Sequence, residues 1–332
     1  MTSNSIRILR LWGCLLGGLL CAALLPAEES ARKGEGAFTL PLGKEEVEFF
    51  VEGDPAAGGP LVVSLHRNEN TAFPVVRELL SSQPGRFVGI RTPGGRRLSL
   101  KGGSRAFTID PNRIFSRTGI EGDLRKFSFF SEEIASEIEG FAAAYLDKAG
   151  LKKGATVIAV HNNTDGGYSL TSYLKGGSES AAGAEVHRVE GLDADDFILV
   201  TNPRHFEALR QGGFNVVLQD NQRAPDDGSL SVYCGRQGID YFNVEADFGS
   251  KAEQGRMLRA VFSLASGKSL PPAPPPSPSK GKSEGKPVGK PAAKPESKPV
   301  GKSSKGGPAR PEAPPEEAKP SGFRLFKPLK RP

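Results

Sequence analysis

Cysteine is almost missing from this chain. Three occur in 332 residues, and two of them, Cys14 and Cys21, fall inside an apolar leader. Once a leader of that kind is removed Cys234 stands alone, and no intrachain disulfide can form. Stability must then come from buried apolar surface, for which a body of about 230 residues is ample. No second apolar run of membrane length follows the leader, which predicts a soluble mature protein. Positive charge is missing from the body, despite a formal net charge of +6 for the whole. Residues after Gly267 carry roughly +10 and the leader about +2, so the body between them stands at roughly −6. A basic groove for nucleic acid is disfavoured, and no specific nucleic-acid partner is expected. Histidine is scarce as well, with four residues in all.

What is present divides into three segments. Residues 1–27 read as a secretory signal, with Arg7 and Arg10 ahead of the apolar stretch from Leu11 to Leu25. The leader is either cleaved near Ala27 or kept as an anchor, and in both cases the protein is expected to be exported, to a periplasm or beyond. Residues 36–266 have the composition of a folded domain. Residues 267–332 are dominated by Pro, Lys, Ser and Gly, in loose repeats such as Gly285-Lys286-Pro287-Val288-Gly289-Lys290-Pro291. That composition cannot bury enough apolar surface to offset its ordering entropy, so a disordered, extended tail is expected. Its role is either that of a spacer or adhesion to an anionic cell-wall or membrane surface.

Within the body, short β-branched apolar runs alternate with helical patterns. Residues 37–42 and 47–51 read as a hairpin, and 61–65, 87–90, 157–160, 197–201, 214–218 and 239–246 as further strands. Helical spacing recurs over 72–80 and 205–210, then after Ser131 (Ile134, Ile138, Phe141, Tyr145), with Gly150 as its stop. Ser131 is expected as an N-cap, and Ser250 with Glu253 as a capping box for a last helix burying Met257, Leu258, Val261 and Phe262. The pattern predicts an α/β fold: a single mixed, mostly parallel twisted sheet with helices on both faces. Ligands bind such sheets where polar clusters end apolar strands.

Two clusters meet that description. Ser64-Leu65-His66-Arg67-Asn68-Glu69 follows Leu61-Val62-Val63, and His161-Asn162-Asn163 follows the run Val157–Val160. An imidazole and a carboxylate three residues apart suit zinc, with a third ligand and an open position still needed. His161 is the candidate third ligand. His187 and His205 lack such a setting and are expected on the surface or at a helix cap. A further polar cluster, Asp110-Pro111-Asn112-Arg113-Ile114-Phe115, is placed in a loop by its proline.

Taken in order, these pieces resemble the zinc carboxypeptidase superfamily, closest to its aspartoacylase and succinylglutamate desuccinylase branch. His66-x-x-Glu69 is similar to that family's zinc motif, and Asp110-x-Asn112-Arg113-x-Phe115 to its substrate motif. His161 stands where the third ligand follows, and Glu245, in Asn243-Val244-Glu245-Ala246, where the catalytic glutamate ends a late strand. The resemblance implies zinc on His66, Glu69 and His161, with Glu245 as proton shuttle for the attacking water. It also implies a substrate carboxylate on Arg113 and Asn112. For the arginine the family often sets beside the developing oxyanion, Arg105 is the candidate and Arg91 the alternative. Tyr233 and Tyr241 are open for a tyrosine near the scissile bond. Asn68, Asn162 and Asn163 are expected to hold the ligands by hydrogen bonds.

The expected activity is hydrolysis of an amide next to a free carboxylate, in a peptide, with cell-wall peptide as one source. An N-acyl amino acid deacylase is the alternative within the enzyme class. A non-catalytic wall-binding protein is the alternative outside it, and Glu245 speaks against it, because a binder has no need of a proton shuttle.

Overall fold

Fully apolar runs flanked by turn residues make strands that must be covered on both faces, and that requirement sets the architecture here. A computed structural model describes residues 36–54, 58–102, 105–164 and 167–271. The signal at 1–27 and residues 272–332 of the tail lie outside the described residues.

The elements in chain order are β1 (Gly36–Leu42), β2 (Glu45–Gly53), β3 (Leu61–Ser64), α1 (Phe73–Ser82), β4 (Arg86–Ile90), β5 (Leu98–Gly102), β6 (Arg105–Ile109), α2 (Arg117–Phe127) and α3 (Glu132–Ala149). They continue with β7 (Thr156–Asn163), β8 (Gly183–His187), β9 (Phe197–Val200), α4 (Pro203–Gln211), β10 (Val216–Gln219), α5 (Leu230–Gln237), β11 (Asp240–Asp247) and α6 (Lys251–Ala265). Nine strands form one sheet in the order β1-β2-β4-β3-β7-β11-β9-β10-β8, while β5 and β6 form a separate hairpin. The expected mixed α/β sheet is what is found. Its parallel pairing is concentrated at the centre, where β4, β3, β7 and β11 all run the same way. The β9–β10 pair is also parallel, and the joins β1–β2, β2–β4, β11–β9 and β10–β8 are antiparallel.

Side chains alternate across the sheet. Val63, Val157, Ala159, Leu199 and Tyr241 face one layer, filled by α2, α3 and α5 through Ile120, Leu124, Ile138, Phe141, Tyr145 and Leu230. Val62, Ile158, Val160, Val200, Phe242 and Val244 face the other, filled by α1, α4 and α6 through Val76, Leu209, Leu258 and Phe262. Helices therefore cover both faces, as expected.

Two expected caps do not form. Ser131 and Ser250 occupy N-cap positions without a side-chain hydrogen bond. At α6 the Glu253 carboxylate is drawn instead to Arg256, whose Nε donates to it at 2.8 Å. Two helices, α2 and α5, escape the sequence pattern. α2 contains Gly119 and Gly122, and α5 is eight residues long with Gly235 inside it. Gly119 has a packing reason: a Cβ there would lie 2.3 Å from the Cα of Gly228. Gly228 takes φ +74°, and its carbonyl accepts from the Phe115 amide at 3.0 Å. This backbone contact presses the loop of Asn112 and Arg113 against the loop that starts α5.

Candidate metal centre and substrate cavity

Parallel strands end together, so the loops after β3, β7 and β11 meet at one edge. The chain leaves β3 through Leu65 and turns at once, with the Glu69 amide donating to the His66 carbonyl at 3.1 Å. That turn brings both side chains of the His66-x-x-Glu69 motif to one point. His161 and Glu245 are paired across the β7–β11 register and lie on the same face of the sheet.

Three donor atoms converge. His66 Nδ1 lies 3.0 Å from Glu69 Oε2, His161 Nδ1 lies 2.9 Å from the same oxygen, and the two ring nitrogens are 3.2 Å apart. All three residues are buried. Among the described residues this is the one group of histidine, cysteine and carboxylate side chains close enough to share an ion. Four-coordinate zinc, with bonds of about 2.0–2.1 Å, sets its ligand atoms about 3.3 Å apart. The triangle matches that within a few tenths of an ångström.

The tautomers point the same way. His66 Nε2 sits 2.8 Å from Asp110 Oδ1, an acceptor, so that nitrogen carries the proton. In the neutral ring Nδ1 is then a bare lone pair, facing another imidazole and a carboxylate oxygen. Three lone pairs aimed at one point need a cation or a proton between them. Burial pushes the His66 pKa down, but the hydrogen bonds and charges of Asp110 and Glu69 outweigh it and hold the pKa above its ordinary value. Burial likewise pushes Glu69 up, and its hydrogen bonds to His161 and His66 overcome that and hold it far below the carboxylate range. The donor set, two imidazoles and one carboxylate, fits zinc and does not fit magnesium or calcium, which take oxygen ligands.

Supporting groups surround the triangle. Asp110 is pinned by the amide of Asn112 at 2.8 Å and ties the ring of His66 in place. The motif reading assigned Asp110 to a pattern; the fold gives it this orienting contact. Arg96 donates to Glu69 Oε1 at 2.6 Å and lies 3.3 Å from Asp110 Oδ2. It is a residue that sequence reasoning missed. Arg105, the sequence candidate for a cation at the centre, is elsewhere: its guanidinium lies over the Phe129 ring, 3.8 Å from the centroid. Arg91 is also elsewhere, paired with Glu48 at 2.9 Å. Asn162 reaches Glu69 through its backbone amide at 3.2 Å, while its side chain holds the Thr71 amide and the Ala246 carbonyl. Asn163 bonds the Asp195 carbonyl at 2.6 Å rather than a ligand. Asn68 lines the cavity and bonds no ligand.

The triangle opens into a cavity of about 450 Å³. Asn112, Arg113, Tyr168, Tyr173, Tyr241 and Glu245 are among its lining residues. Glu245 is buried, and Asn243 Nδ2 donates to its Oε1 at 3.0 Å. Burial raises its pKa above the ordinary glutamate value, only partly offset by His161. Arg113 turns one Nη1 to the Asn112 carbonyl at 2.6 Å and lies 3.6 Å from Asp227. Asn112 Oδ1 accepts from the Leu230 amide at 2.9 Å. Tyr241 lines the cavity, whereas Tyr233, on α5, packs against Phe115. Tyr168 and Tyr173, hydrogen-bonded to each other through their hydroxyls, were not singled out by the sequence. Their segment carries no motif. His187 is on strand β8, and His205, near the start of α4, lies 3.3 Å from Asp240 Oδ2.

No sequence family matches the chain, and no curated protein matches it. Solved structures do. The murein-tripeptide amidase of Escherichia coli O157 is 12% identical with a TM-score of 0.39, over 69% of this chain and 91% of that one. Thrombin activatable fibrinolysis inhibitor is 11% identical with a TM-score of 0.41, over 70% and 71%. A putative succinylglutamate desuccinylase/aspartoacylase from Shewanella frigidimarina NCIMB 400 is 11% identical with a TM-score of 0.33, over 72% and 74%. At such identities and scores the functional case rests on the side chains.

Proposed function

We propose that this protein is an exported, zinc-dependent amide hydrolase of the carboxypeptidase type. Its substrate in this reading is a peptide with a free carboxylate next to the scissile bond, with cell-wall peptide as the source. The observation that carries the reading is the triangle of His66 Nδ1, Glu69 Oε2 and His161 Nδ1, with the buried carboxylate of Glu245 in the same cavity. A zinc ion held by those three residues supplies a Lewis acid and an activated water at neutral pH.

The remaining work falls to the chain. Glu245 accepts the proton of the attacking water and passes it to the amide nitrogen as the C–N bond breaks, which restores the carboxylate. Its raised pKa suits both halves of that task, because a stronger base accepts more readily near neutral pH. Arg113 offers a planar fork to the substrate carboxylate and is only loosely held by Asp227. Arg96 places a second cation at the metal end of the cavity, where negative charge develops on the carbonyl oxygen. The leader supports export, and the cationic tail suits an anionic wall polymer. The cavity volume also admits an N-acyl amino acid, so deacylation is the second reading.

Metal analysis of purified protein, with hydrolysis of muropeptides, ordinary peptides and N-acyl amino acids, tests the proposal. The expected result is one zinc per chain and release from one substrate group. Glu245→Gln keeps the zinc and loses about 10²–10⁴ in rate. Protein that holds no zinc, or a Glu245→Gln variant as active as the parent, would overturn it.

A further inference from the structure

Charge is unevenly spread over the body. Between Arg96 and Lys126 stand eight arginines and lysines against three carboxylates, within a body of roughly −6. Arg96 and Arg113 belong to the cavity. The others lie on or beside the β5–β6 hairpin and on α2, and none of them lines the cavity. Three phenylalanines sit among these cations. Phe127 ends α2, and Phe129 and Phe130 follow it, both packed against the apolar layer. Each ring carries a guanidinium: Arg97 lies 3.6 Å from the Phe127 centroid, Arg105 3.8 Å from that of Phe129, and Arg125 4.4 Å from that of Phe130. Lys126 adds an ammonium 5.0 Å from Phe127.

A guanidinium stacked on a ring is held by the ring's quadrupole and keeps its in-plane N–H donors for a second partner. The chain itself does not supply that partner in full. Arg97, Arg105 and Lys126 pair with no carboxylate among the described residues, and of the stacked guanidinia only Arg125 has one, Glu121 at 2.7 Å. Glu132 and Glu139 are taken by Arg117. Asp123 is buried, and its carboxylate accepts from the Asp110 amide at 2.8 Å. Elsewhere on the body arginines sit on carboxylates, as Arg77, Arg210 and Arg223 do. Arg105, Arg125 and Lys126 are exposed and Arg97 is half-buried. Like charges gathered on one surface repel each other, and stacking on anchored rings holds them there.

Resting on the hydrolase reading above, we infer that this arginine–phenylalanine surface docks an acidic peptide chain, the carboxylate-rich remainder of a polymeric substrate whose end enters the cavity. The surface lies close to the metal centre. Arg97 follows Arg96 of the cavity in sequence, and its charge acts on Asp123, which holds the Asp110 amide behind His66. A planar guanidinium meets a carboxylate with two N–H bonds. Stacking orders the guanidinia before binding, which cuts the cost of ordering them at the moment of contact. Several such groups on one surface engage several anions of one chain at once, an advantage that a single small anion does not share. In the hydrolase reading Arg113 already takes one substrate carboxylate, and an acidic peptide carries the same group along its length.

The test measures binding of short, labelled poly-L-glutamate to full-length protein at physiological ionic strength, by fluorescence anisotropy. Combining Arg97→Gln, Arg105→Gln and Arg125→Gln should raise Kd about tenfold, three exposed ion pairs each giving a factor of about two. A charge-matched variant, Arg188→Gln with Arg204→Gln and Arg223→Gln, loses the same charge elsewhere and keeps the same cationic tail, so its Kd should stay within about twofold of the parent. If the first variant does not fold, lysine at the same three positions keeps the charge without the fork, and a Kd raised about threefold is then expected. Unchanged binding in the surface variant, an equal loss in the charge-matched one, or a loss confined to polyphosphate or to phosphatidylglycerol vesicles overturns the inference. Hydrolysis tests the link to the cavity: a glutamate-rich extension ahead of the scissile bond should lower KM in the parent and much less in the surface variant. Cleavage without that difference overturns the substrate assignment. If nothing is cleaved, surface-dependent binding of poly-L-glutamate upholds the docking surface, and the hydrolase reading alone falls.

Discussion

Val160 and His161 are neighbours in β7, as Val244 and Glu245 are in β11, yet each pair divides between two chemistries. Val160 and Val244 enter an apolar layer shared with α1, α4 and α6. His161 and Glu245 enter a polar cavity on the opposite face. The two-residue period of a strand sets this division: one step along the chain exchanges hydrocarbon for a polar cavity. Both faces bury an apolar layer that supplies free energy of folding, and the one holding His161 and Glu245 gives way to buried charge at the strand ends. Glu245 shows the cost, since burial disfavours its ionised form in the folded chain.

The sharpest way to break this contrast is to move the carboxylate by one residue. Val244→Glu puts a charge among Ile198, Val200 and Phe262 with no partner, and a loss of about 4 kcal/mol or more is expected. Urea unfolding measures it, and a variant as stable as the parent would show that the second face is not closed to charge. Next in size is Asp110→Asn, which weakens the hold on His66 Nε2. Metal affinity should fall about 10–100-fold. Competition with a chelator reads the affinity, and an unchanged value would deny Asp110 its orienting role.

A pH series sharpens the same point. The metal-free His66 keeps its proton to a pH above its ordinary value, and a cation must displace that proton. Apparent zinc affinity should then rise about tenfold per pH unit until that raised pKa is passed, then level off. A flat profile between pH 6 and 8 would contradict the donor triangle. The smallest effect lies at Asp196, just ahead of β9. Burial, with Glu253, Asp193 and Asp247 nearby, lifts the Asp196 pKa to about 6. A carboxyl raised in the folded state destabilises it as pH climbs from the unfolded value through the folded one. Asp196→Asn should therefore gain up to about 1 kcal/mol above pH 6 and nothing near pH 3, the figure being reduced for solvent screening. Thermal melts at the two pH values decide it.

The elements that were legible in the sequence are those whose residue types act locally. The apolar runs of β3, β7, β9 and β11 and the periodic face of α3 declare themselves, because burial on two faces or one leaves a pattern in neighbouring residues. α2 and α5 do not, since their glycines answer to backbone contacts with distant segments, as Gly119 does to Gly228. Ser131 and Ser250 have the right residue type for caps, but their side chains make no cap bond.

The site divides in the same way. His66, Glu69 and His161 could be named in advance because each follows an apolar strand, and parallel strands bring such ends together; Glu245 was named through the family resemblance alone. Arginine carries no comparable mark. Arg91, Arg96 and Arg105 are alike in sequence, and only the path of the chain from β4 to β6 puts Arg96 on Glu69 and Arg105 on Phe129. Tyr168 and Tyr173 were equally silent, in a segment without repeat or motif. Sequence alone thus determined the strands and the residue types and spacing of the His66, Glu69 and His161 group, since these depend on residue type and short-range periodicity. Tertiary structure decided which cation and which hydroxyls share the cavity, because a long flexible side chain is placed by contacts between segments far apart in the chain.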